Sequence, residues 1–252
     1  MHFLARCSYD GADYAGFAKS PPKNTVQETI EQTLIRLFED QYPCQSIKGG
    51  SRTDKGVHAF DQCFTFQAPY QIGTEKLKAI LNRHLPGSIR INSIAGIDDQ
   101  YNLHQQITSK TYLYIIYHEK VISPFLSRYV WHETRFFSEN HWNALLELLQ
   151  GEKDFRLFAK EAYRYESTIC NLEQARAWSV PNMPATILCF KGNRFLYNMV
   201  RRMIGFSHMM LQKKAPLPST YQELTSKYAS WMTLRAPANG LYLYQTQTKT
   251  PV

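Results

Sequence analysis

The first hundred residues alternate between strand-like and helix-like patterns, and this order constrains the fold more than any other feature. Residues 2–9, 62–67 and 89–94 each have the pattern of a strand. Between them, residues 25–28 (TVQE) have the spacing of a capping box, and Thr74 begins a second helical pattern. A β-α-β-α-β order is typical of a compact α+β domain with helices on one face of a sheet.

The second half of the chain has a similar mixture of patterns. Residues 110–117 predict a strand with aromatic side chains on both faces, and Ser138 is placed to cap the helix that follows it. Residues 195–212 predict a long helix, because their apolar side chains recur at helical spacing. A turn at 236–240 then leads into a last strand.

A polar stretch that begins at Asp98 predicts a boundary between two domains. A chain of 252 residues is long enough for two small domains, each with its own core. We therefore predict an N-terminal α+β domain at 1–100 and a C-terminal α+β domain at 101–252, both with largely antiparallel or mixed sheets.

The charge and the aromatic content favour a polyanionic partner. The formal net charge is +8, and aromatic residues make up 13% of the chain, so cations and surfaces for stacking on bases are both plentiful. Charge alone does not decide the partner, since many basic proteins bind no nucleic acid.

The cysteines indicate neither a metal site nor a disulfide framework. They are odd in number, widely spaced and without a C-x-x-C pair: Cys7, Cys44, Cys63, Cys170 and Cys189. Buried thiols in a reducing compartment are the simplest interpretation. The sequence also has no signal-peptide pattern and no run of eighteen apolar residues, so we expect a cytoplasmic protein without a membrane partner.

Residues 49–59 (GGSRTDKGVHA) are the strongest candidate for chemistry. They place Arg52, Asp54 and Lys55 between glycines that allow tight turns and close approach of a ligand. A carboxylate in such a loop is exposed enough to react. The charge pattern alone fits a polar surface turn equally well.

The order of residues in this segment is more informative than its charge pattern. It resembles the [GA]-R-T-D-[AK]-G-V-[HS]-A motif of the TruA family of tRNA pseudouridine synthases, with Ser51 as the one departure. Further motifs of that family occur in family order along the chain, at 9–17, 151–158 and 195–205. The resemblance implies the pseudouridine synthase fold, in which two subdomains meet at a central active-site cleft.

The resemblance also implies three catalytic residues. Asp54 takes the place of the family's nucleophile, and attack at the sugar C1′, addition at the base C6 and a glycal route would all use this carboxylate. Tyr112 matches a tyrosine that stacks on the target base, although an ordinary strand tyrosine would give the same local pattern. Arg201 matches an arginine that pairs with the catalytic aspartate.

Other residues are expected to bind substrate. Arg52 matches an arginine that contacts RNA and helps to flip the target, and Lys55 and Arg202 are further candidates for RNA contact. Leu241 is expected to pack against the catalytic loop. His58 is expected to be a hydrogen-bonded structural residue.

The activity implied by the resemblance is isomerisation of uridine to pseudouridine in the anticodon stem-loop of tRNA, at nucleotides 38–40. It implies tRNA as the partner, a homodimer, and no metal or organic cofactor. The chain departs from the family pattern at Phe17, Ala18, His104 and Asn198. These departures leave two alternatives open: the same isomerisation on another RNA by a divergent paralogue, or a tRNA-binding protein or RNA chaperone with little catalysis.

Overall fold

The computed structural model of the chain describes residues 1–20, 24–38, 47–68 and 72–249. The elements in chain order are β1 (His2–Tyr9), α1 (Val26–Phe38), β2 (Lys48–Gly49), β3 (His58–Gln67), α2 (Thr74–His84), β4 (Ile89–Ile97), α3 (Leu103–Gln106), β5 (Ile107–Tyr117), β6 (Trp131–His132), α4 (Glu139–Glu147), β7 (Gly151–Asp154), β8 (Ile169–Ser179), β9 (Ala185–Gly192), α5 (Met199–Gln212), α6 (Tyr221–Tyr228) and β10 (Leu241–Thr248). Short 3-10 helices cover Arg156–Phe158, Ala162–Arg164 and Ala229–Thr233.

The chain forms two compact units. Unit 1 consists of Met1–Thr108 together with Tyr242–Val252, and unit 2 consists of Ser109–Leu241. The predicted division into domains at 1–100 and 101–252 stays a prediction. The compact units differ from it in placing the end of the chain in unit 1.

Unit 1 contains a mixed sheet with the strand order β4-β1-β3-β10. β1 is antiparallel to β3 and to β4, and β2 adds an antiparallel pair to β3. β10 is parallel to β3, with Tyr242 opposite His58 and Leu243 opposite Ala59. The expected α+β class with largely antiparallel, mixed strands is confirmed.

A cluster of polar contacts joins β10 to the rest of this sheet. Arg6 on β1 donates to both carboxylate oxygens of Asp61 on β3, at 2.9 and 2.7 Å, and to the carbonyl oxygen of Thr246 at 2.9 Å. Asp61 in turn accepts the backbone N–H of Thr246 at 2.8 Å. One arginine and one carboxylate therefore connect three strands.

Helix α1 begins as the capping box predicts. The Thr25 hydroxyl accepts the Glu28 N–H at 3.2 Å, a contact that stabilises a helix by about 1 kcal/mol. Val26, Ile30 and Leu34 are fully buried, so the predicted apolar stripe is core.

Unit 2 contains an antiparallel sheet with the strand order β5-β9-β8-β7, and β6 is parallel to the end of β5. Helix α4 packs on β8 through Trp142, Leu145 and Leu146, all of which are buried. Helix α5 supplies further core side chains, and Phe206 meets Phe158 edge to face at 5.6 Å between ring centroids.

Two helix predictions need correction. The helix predicted for 195–212 starts only at Met199, because Asn198 has left-handed backbone angles (φ 62°, ψ 5°) that end the preceding loop. Ser138 occupies the cap position of α4, but its hydroxyl bonds to His141 Nδ1 at 2.7 Å and not to a backbone N–H. Helix α6 and strand β7 were not predicted.

Four of the five cysteines are free and buried: Cys7, Cys63, Cys170 and Cys189. Cys44 lies outside the described residues. Burial raises the pKa of the Cys7 thiol well above its usual value and that of Cys170 to about 11, so neither is a reactive thiolate near neutral pH.

Within the described ranges, no group of three or more His, Cys, Asp and Glu side chains could hold a metal ion. The helices in the same ranges are too short or too polar to cross a membrane.

Candidate active site

The motif loop, residues 50–57, is anchored to β3 at its start. The N–H of Gly50 donates to the carbonyl oxygen of Cys63 at 2.8 Å. The Gln62 side chain donates from Nε2 to the carbonyl oxygen of Ser51 at 2.6 Å. The chain therefore leaves the sheet in a fixed direction.

The second half of the motif loop is a turn that begins at Asp54. The N–H of Val57 donates to the carbonyl oxygen of Asp54 at 3.1 Å and closes the turn. Gly56 has φ 79°, a left-handed angle that favours glycine, and its N–H donates to the carbonyl oxygen of Tyr14 at 3.2 Å. The backbone on both sides of Asp54 is thus held by hydrogen bonds.

Two glycines before α1 allow a second segment to touch the motif loop. A Cβ atom at Gly11 would lie 1.9 Å from the carbonyl oxygen of Val57, and one at Gly16 would lie 2.4 Å from that of Thr53. Gly16 also has φ 115°. The Tyr9 and Thr53 hydroxyls share a buried hydrogen bond of 2.8 Å. This support for the loop was not predicted from the sequence, in which residues 9–17 stand out only as a further motif of the family.

The side chains of the motif loop divide by exposure. Ser51 and Thr53 are buried, Asp54 is partly exposed, and Arg52 and Lys55 are exposed. The structure therefore brings a carboxylate and two solvent-accessible cations together on one rigid turn.

His58, at the end of the loop, has a structural position, as expected. It is 2% exposed, accepts the N–H of Gly11 at Nδ1 (3.1 Å), and stacks on Tyr242 with ring centroids 4.9 Å apart. The same nitrogen lies 3.1 Å from a carboxylate oxygen of Asp10.

Tyr112 lies in unit 2, on β5 opposite Phe190 of β9. It is buried, with 7% of its surface exposed, and its ring meets Phe195 edge to face at 5.0 Å. This packing fixes the plane of the ring, as either a stacking residue or a core tyrosine would require.

Arg201 also lies in unit 2, in the first turn of α5. Its Nε donates to the carbonyl oxygen of Ala236 at 2.9 Å, and the N–H of Ala236 donates back to the carbonyl oxygen of Arg201 at 2.9 Å. Nearby, burial raises the pKa of Tyr114 well above its usual value, and the positive charge of Arg201 opposes that shift. The Nε contact holds the guanidinium plane in one orientation.

Arg202, the next residue of α5, contacts a different part of unit 2 from Arg201. It donates to the carbonyl oxygen of Ala159 at 2.6 Å, and partial burial together with the charge of Arg235 lowers its pKa. Arg235 donates to the Asn198 side-chain oxygen at 2.9 Å. Asn198, one of the departures from the family pattern, therefore has a local role at the start of α5.

The predicted site residues fall into separate groups. Arg52, Asp54 and Lys55 share the motif loop of unit 1, while Tyr112, Arg201 and Arg202 belong to unit 2. Leu241 is buried and is the last residue of unit 2, directly before the residue that pairs with His58.

The chain matches the model of the family described as tRNA pseudouridine synthase over residues 5–104 and 145–247. The chain belongs to the tRNA pseudouridine synthase family. The matched segments contain every predicted site residue except Tyr112, which lies between them, so its assignment depends on the strand motif alone.

Curated relatives agree over nearly the whole length. The chain is 28% identical to tRNA pseudouridine synthase A of Limosilactobacillus reuteri, over 94% of this chain and 92% of the relative. It is 30% identical to the protein of the same name from Streptococcus mutans, over 96% and 97%. For that of Streptococcus pneumoniae the identity is 31%, over 96% of each.

Proposed function

We propose that this protein isomerises uridine to pseudouridine in the anticodon stem-loop of tRNA, with Asp54 as the nucleophile. The observation that carries the proposal is the position of Asp54: a partly exposed carboxylate on a turn whose backbone is fixed, between two exposed cations. Membership of the tRNA pseudouridine synthase family supports the reaction class.

The reaction conserves every atom of the substrate. The bond between N1 of uracil and C1′ of the sugar breaks, the base turns, and C5 bonds to C1′. The proton on C5 is then lost, and N1 gains one. A carboxylate suits this sequence because it can attack an electrophilic carbon and later leave again.

The other residues are assigned supporting roles. Arg201 orients the carboxylate of Asp54, since a guanidinium can hold both carboxylate oxygens at once. Tyr112 stacks on the freed base and excludes water while the base turns. Arg52, Lys55 and Arg202 contact phosphates of the RNA, and Leu241 packs against the motif loop.

The test is to incubate the purified protein with an unmodified tRNA transcript and to map pseudouridine along it. We expect modification of anticodon stem-loop uridines by the wild type, and none by Asp54→Asn, which keeps the size of the side chain but not its charge or nucleophilicity. Asp54→Asn should still bind the transcript. Turnover near that of the wild type would remove Asp54 from the role of nucleophile.

The same assay decides between this function and its alternatives. Pseudouridine formed only in a different RNA would indicate a divergent paralogue with the same chemistry. Tight tRNA binding without any product would indicate a binding protein or RNA chaperone.

We also propose a homodimer, to be tested by light scattering, and the cytoplasm as the compartment, because tRNA is processed there.

A further inference from the structure

Unit 2 presents an exposed surface of tyrosines and cations that the reaction chemistry does not use. It is formed by the loop after the 3-10 helix Arg156–Phe158 and by the segment before α5. We name it the basic tyrosine surface. Three of its members are exposed (Tyr163, Arg164 and Tyr197), and three are partly exposed (Lys160, Tyr165 and Arg194).

Direct contacts make this surface continuous. The Lys160 ammonium lies 5.1 Å from the centre of the Tyr197 ring, and the N–H of Lys160 donates to the Tyr197 carbonyl oxygen at 2.8 Å. The N–H of Tyr197 donates to the Tyr165 hydroxyl at 2.9 Å. Arg194 lies over the Tyr165 ring at 6.0 Å. Two segments far apart in sequence are thus joined side by side.

A carboxylate within the surface orients two of its cations. Glu161 lies 2.9 Å from Arg164 Nε and 3.7 Å from the Lys160 ammonium. Its backbone is left-handed (φ 57°, ψ 44°), which is unusual for a residue other than glycine. A hydrogen bond with Tyr163 and the charge of Glu161 raise the pKa of Arg164. Glu166 is a second carboxylate of the same loop, so the three cations exceed the carboxylates by one and leave the surface positive.

The exposure of the rings sets this surface apart from a core cluster. Tyr163 is 81% exposed and Tyr197 is 40% exposed, and the Arg164 side chain is 65% exposed. A tyrosine this exposed contributes little to the core. The Arg164 guanidinium lies 5.9 Å from the centre of the Tyr163 ring, and the rest of this exposed ring is open to a planar partner, beside cations that attract phosphate.

The surface is attached to the start of α5, where Arg201 lies. Tyr197 directly precedes Asn198, the residue before the helix, and Arg202 donates to the Ala159 carbonyl oxygen next to Lys160. RNA bound by the first turn of α5 would therefore meet the basic tyrosine surface within unit 2.

We propose that the basic tyrosine surface binds an unpaired segment of the substrate tRNA, with Tyr163 stacked on a base and with Lys160, Arg164 and Arg194 on the adjoining phosphates. Single-stranded nucleic acid is recognised by this combination of aromatic faces and a positive groove. An acidic polypeptide would use the cations but would gain little from the exposed ring. The identity of the RNA rests on the proposed function, whereas the site rests on the contacts above.

The test measures the dissociation constant of an unmodified tRNA transcript at several salt concentrations. Tyr163→Ala should weaken binding about five- to hundredfold, and Tyr163→Phe should stay within about twofold of the wild type, because it keeps the ring. The triple variant Lys160→Ala, Arg164→Ala and Arg194→Ala should lower the log–log salt slope by about two.

Arg176→Ala is the matched control. Arg176 is an exposed arginine of β8 that lies over the Trp178 ring at 5.1 Å, so its loss removes one positive charge and one cation–ring contact elsewhere in unit 2. Its tRNA affinity should be that of the wild type. Circular dichroism of each variant checks that the fold is kept.

Unchanged affinity in both Tyr163→Ala and the triple variant would overturn the proposal, even if the wild type forms pseudouridine. Equal loss in Arg176→Ala would also overturn it, because binding would then follow total charge. Competition by polyglutamate as strong as by RNA, with no effect of Tyr163→Ala, would assign the surface to an acidic polypeptide. A wild type that binds tRNA through this surface but forms no pseudouridine would refute the proposed function alone.

Discussion

The motif loop around Asp54 and the start of α5 around Arg201 both contain family motifs, but different forces hold them. The loop is fixed mainly by backbone hydrogen bonds and by the close approach of Gly11 and Gly16, and the side chains of Gln62 and Tyr9 add two further contacts. The start of α5 is fixed largely by side chains, through the contacts of Arg201, Arg202 and Arg235 with carbonyl oxygens and with Asn198.

This difference predicts how each region responds to mutation. A position where two backbones touch accepts no added atom, whatever its chemistry, because neither backbone can move without breaking its hydrogen bonds. A position held by a side chain loses only the contacts of that side chain. A single substitution at a backbone contact of the motif loop should therefore cause a large loss of stability. A single substitution at the start of α5 should cause a smaller one.

The largest effect is expected for Gly11→Ala. The new methyl group would overlap the Val57 carbonyl oxygen, so we expect a loss of about 3 kcal/mol or more in the free energy of unfolding, together with loss of activity. Urea denaturation measures it. Gly96→Ala is the control, since its methyl group would meet nothing within 4 Å. A loss below about 1 kcal/mol for Gly11→Ala would show that the loop can shift.

Arg201→Ala should lower kcat/KM about a hundredfold, because misplacing a reacting group by a small distance has effects of this size. Arg201→Lys should recover only part of the activity, since lysine keeps the charge but loses the planar guanidinium. Single-turnover assays on one tRNA transcript measure both variants. Full recovery in Arg201→Lys would mean that charge alone matters at the start of α5.

A smaller effect is expected at Asn198. Alanine adopts its left-handed backbone angles less readily and cannot accept the hydrogen bond of Arg235, so Asn198→Ala should lower stability by about 1–2 kcal/mol. Asn198→Gly relieves the backbone but still lacks the acceptor, and should lose less. Chemical denaturation of the pair separates the two contributions. Equal losses would assign the whole effect to the hydrogen bond.

The smallest effect concerns His208 on the buried side of α5. Its ring packs on Trp131 at 4.6 Å, and its Nε2 lies 3.1 Å from Glu133. Burial lowers the pKa of His208, with Glu133 opposing and Arg135 and His118 assisting the shift.

The sign of the pH effect follows from that shift. The unfolded chain takes up a proton near the ordinary histidine pKa of about 6.5, and the folded chain does so only at lower pH. Stability should therefore fall as the pH drops below about 6.5, and His208→Phe should flatten this dependence. The pKa of Glu133 is lowered by Arg135 against the effect of burial, so Glu133 titrates below this range. Thermal melts from pH 7.5 to 5 follow the change, and identical profiles in the two proteins would contradict it.

Local patterns predicted much of the fold. The Thr25 helix cap and the first strand appear where the sequence places them, because each depends on neighbouring residues alone. The glycines of the motif likewise predicted an accessible loop at Asp54, which is partly exposed.

The rest depended on contacts between distant residues. The parallel pairing of β10 with β3 joins Tyr242 to His58, and no local pattern encodes that choice. Residues 195–198 have helical apolar spacing, but Tyr197 bonds to Tyr165 and Lys160 instead. The basic tyrosine surface was missed for the same reason, since its two segments meet only in the folded unit.

The place of β10 in the sheet has a consequence for synthesis. Chains are made from the N-terminus, and domains that are continuous in sequence can fold as they emerge from the ribosome. Unit 1 cannot do so, because its last strand follows the whole of Ser109–Leu241. Until Thr246 emerges, β3 has an open edge where β10 will pair, and Asp61 lacks the backbone N–H that it accepts in the finished protein. Unit 1 can therefore complete its sheet only after the chain up to β10 has been synthesised.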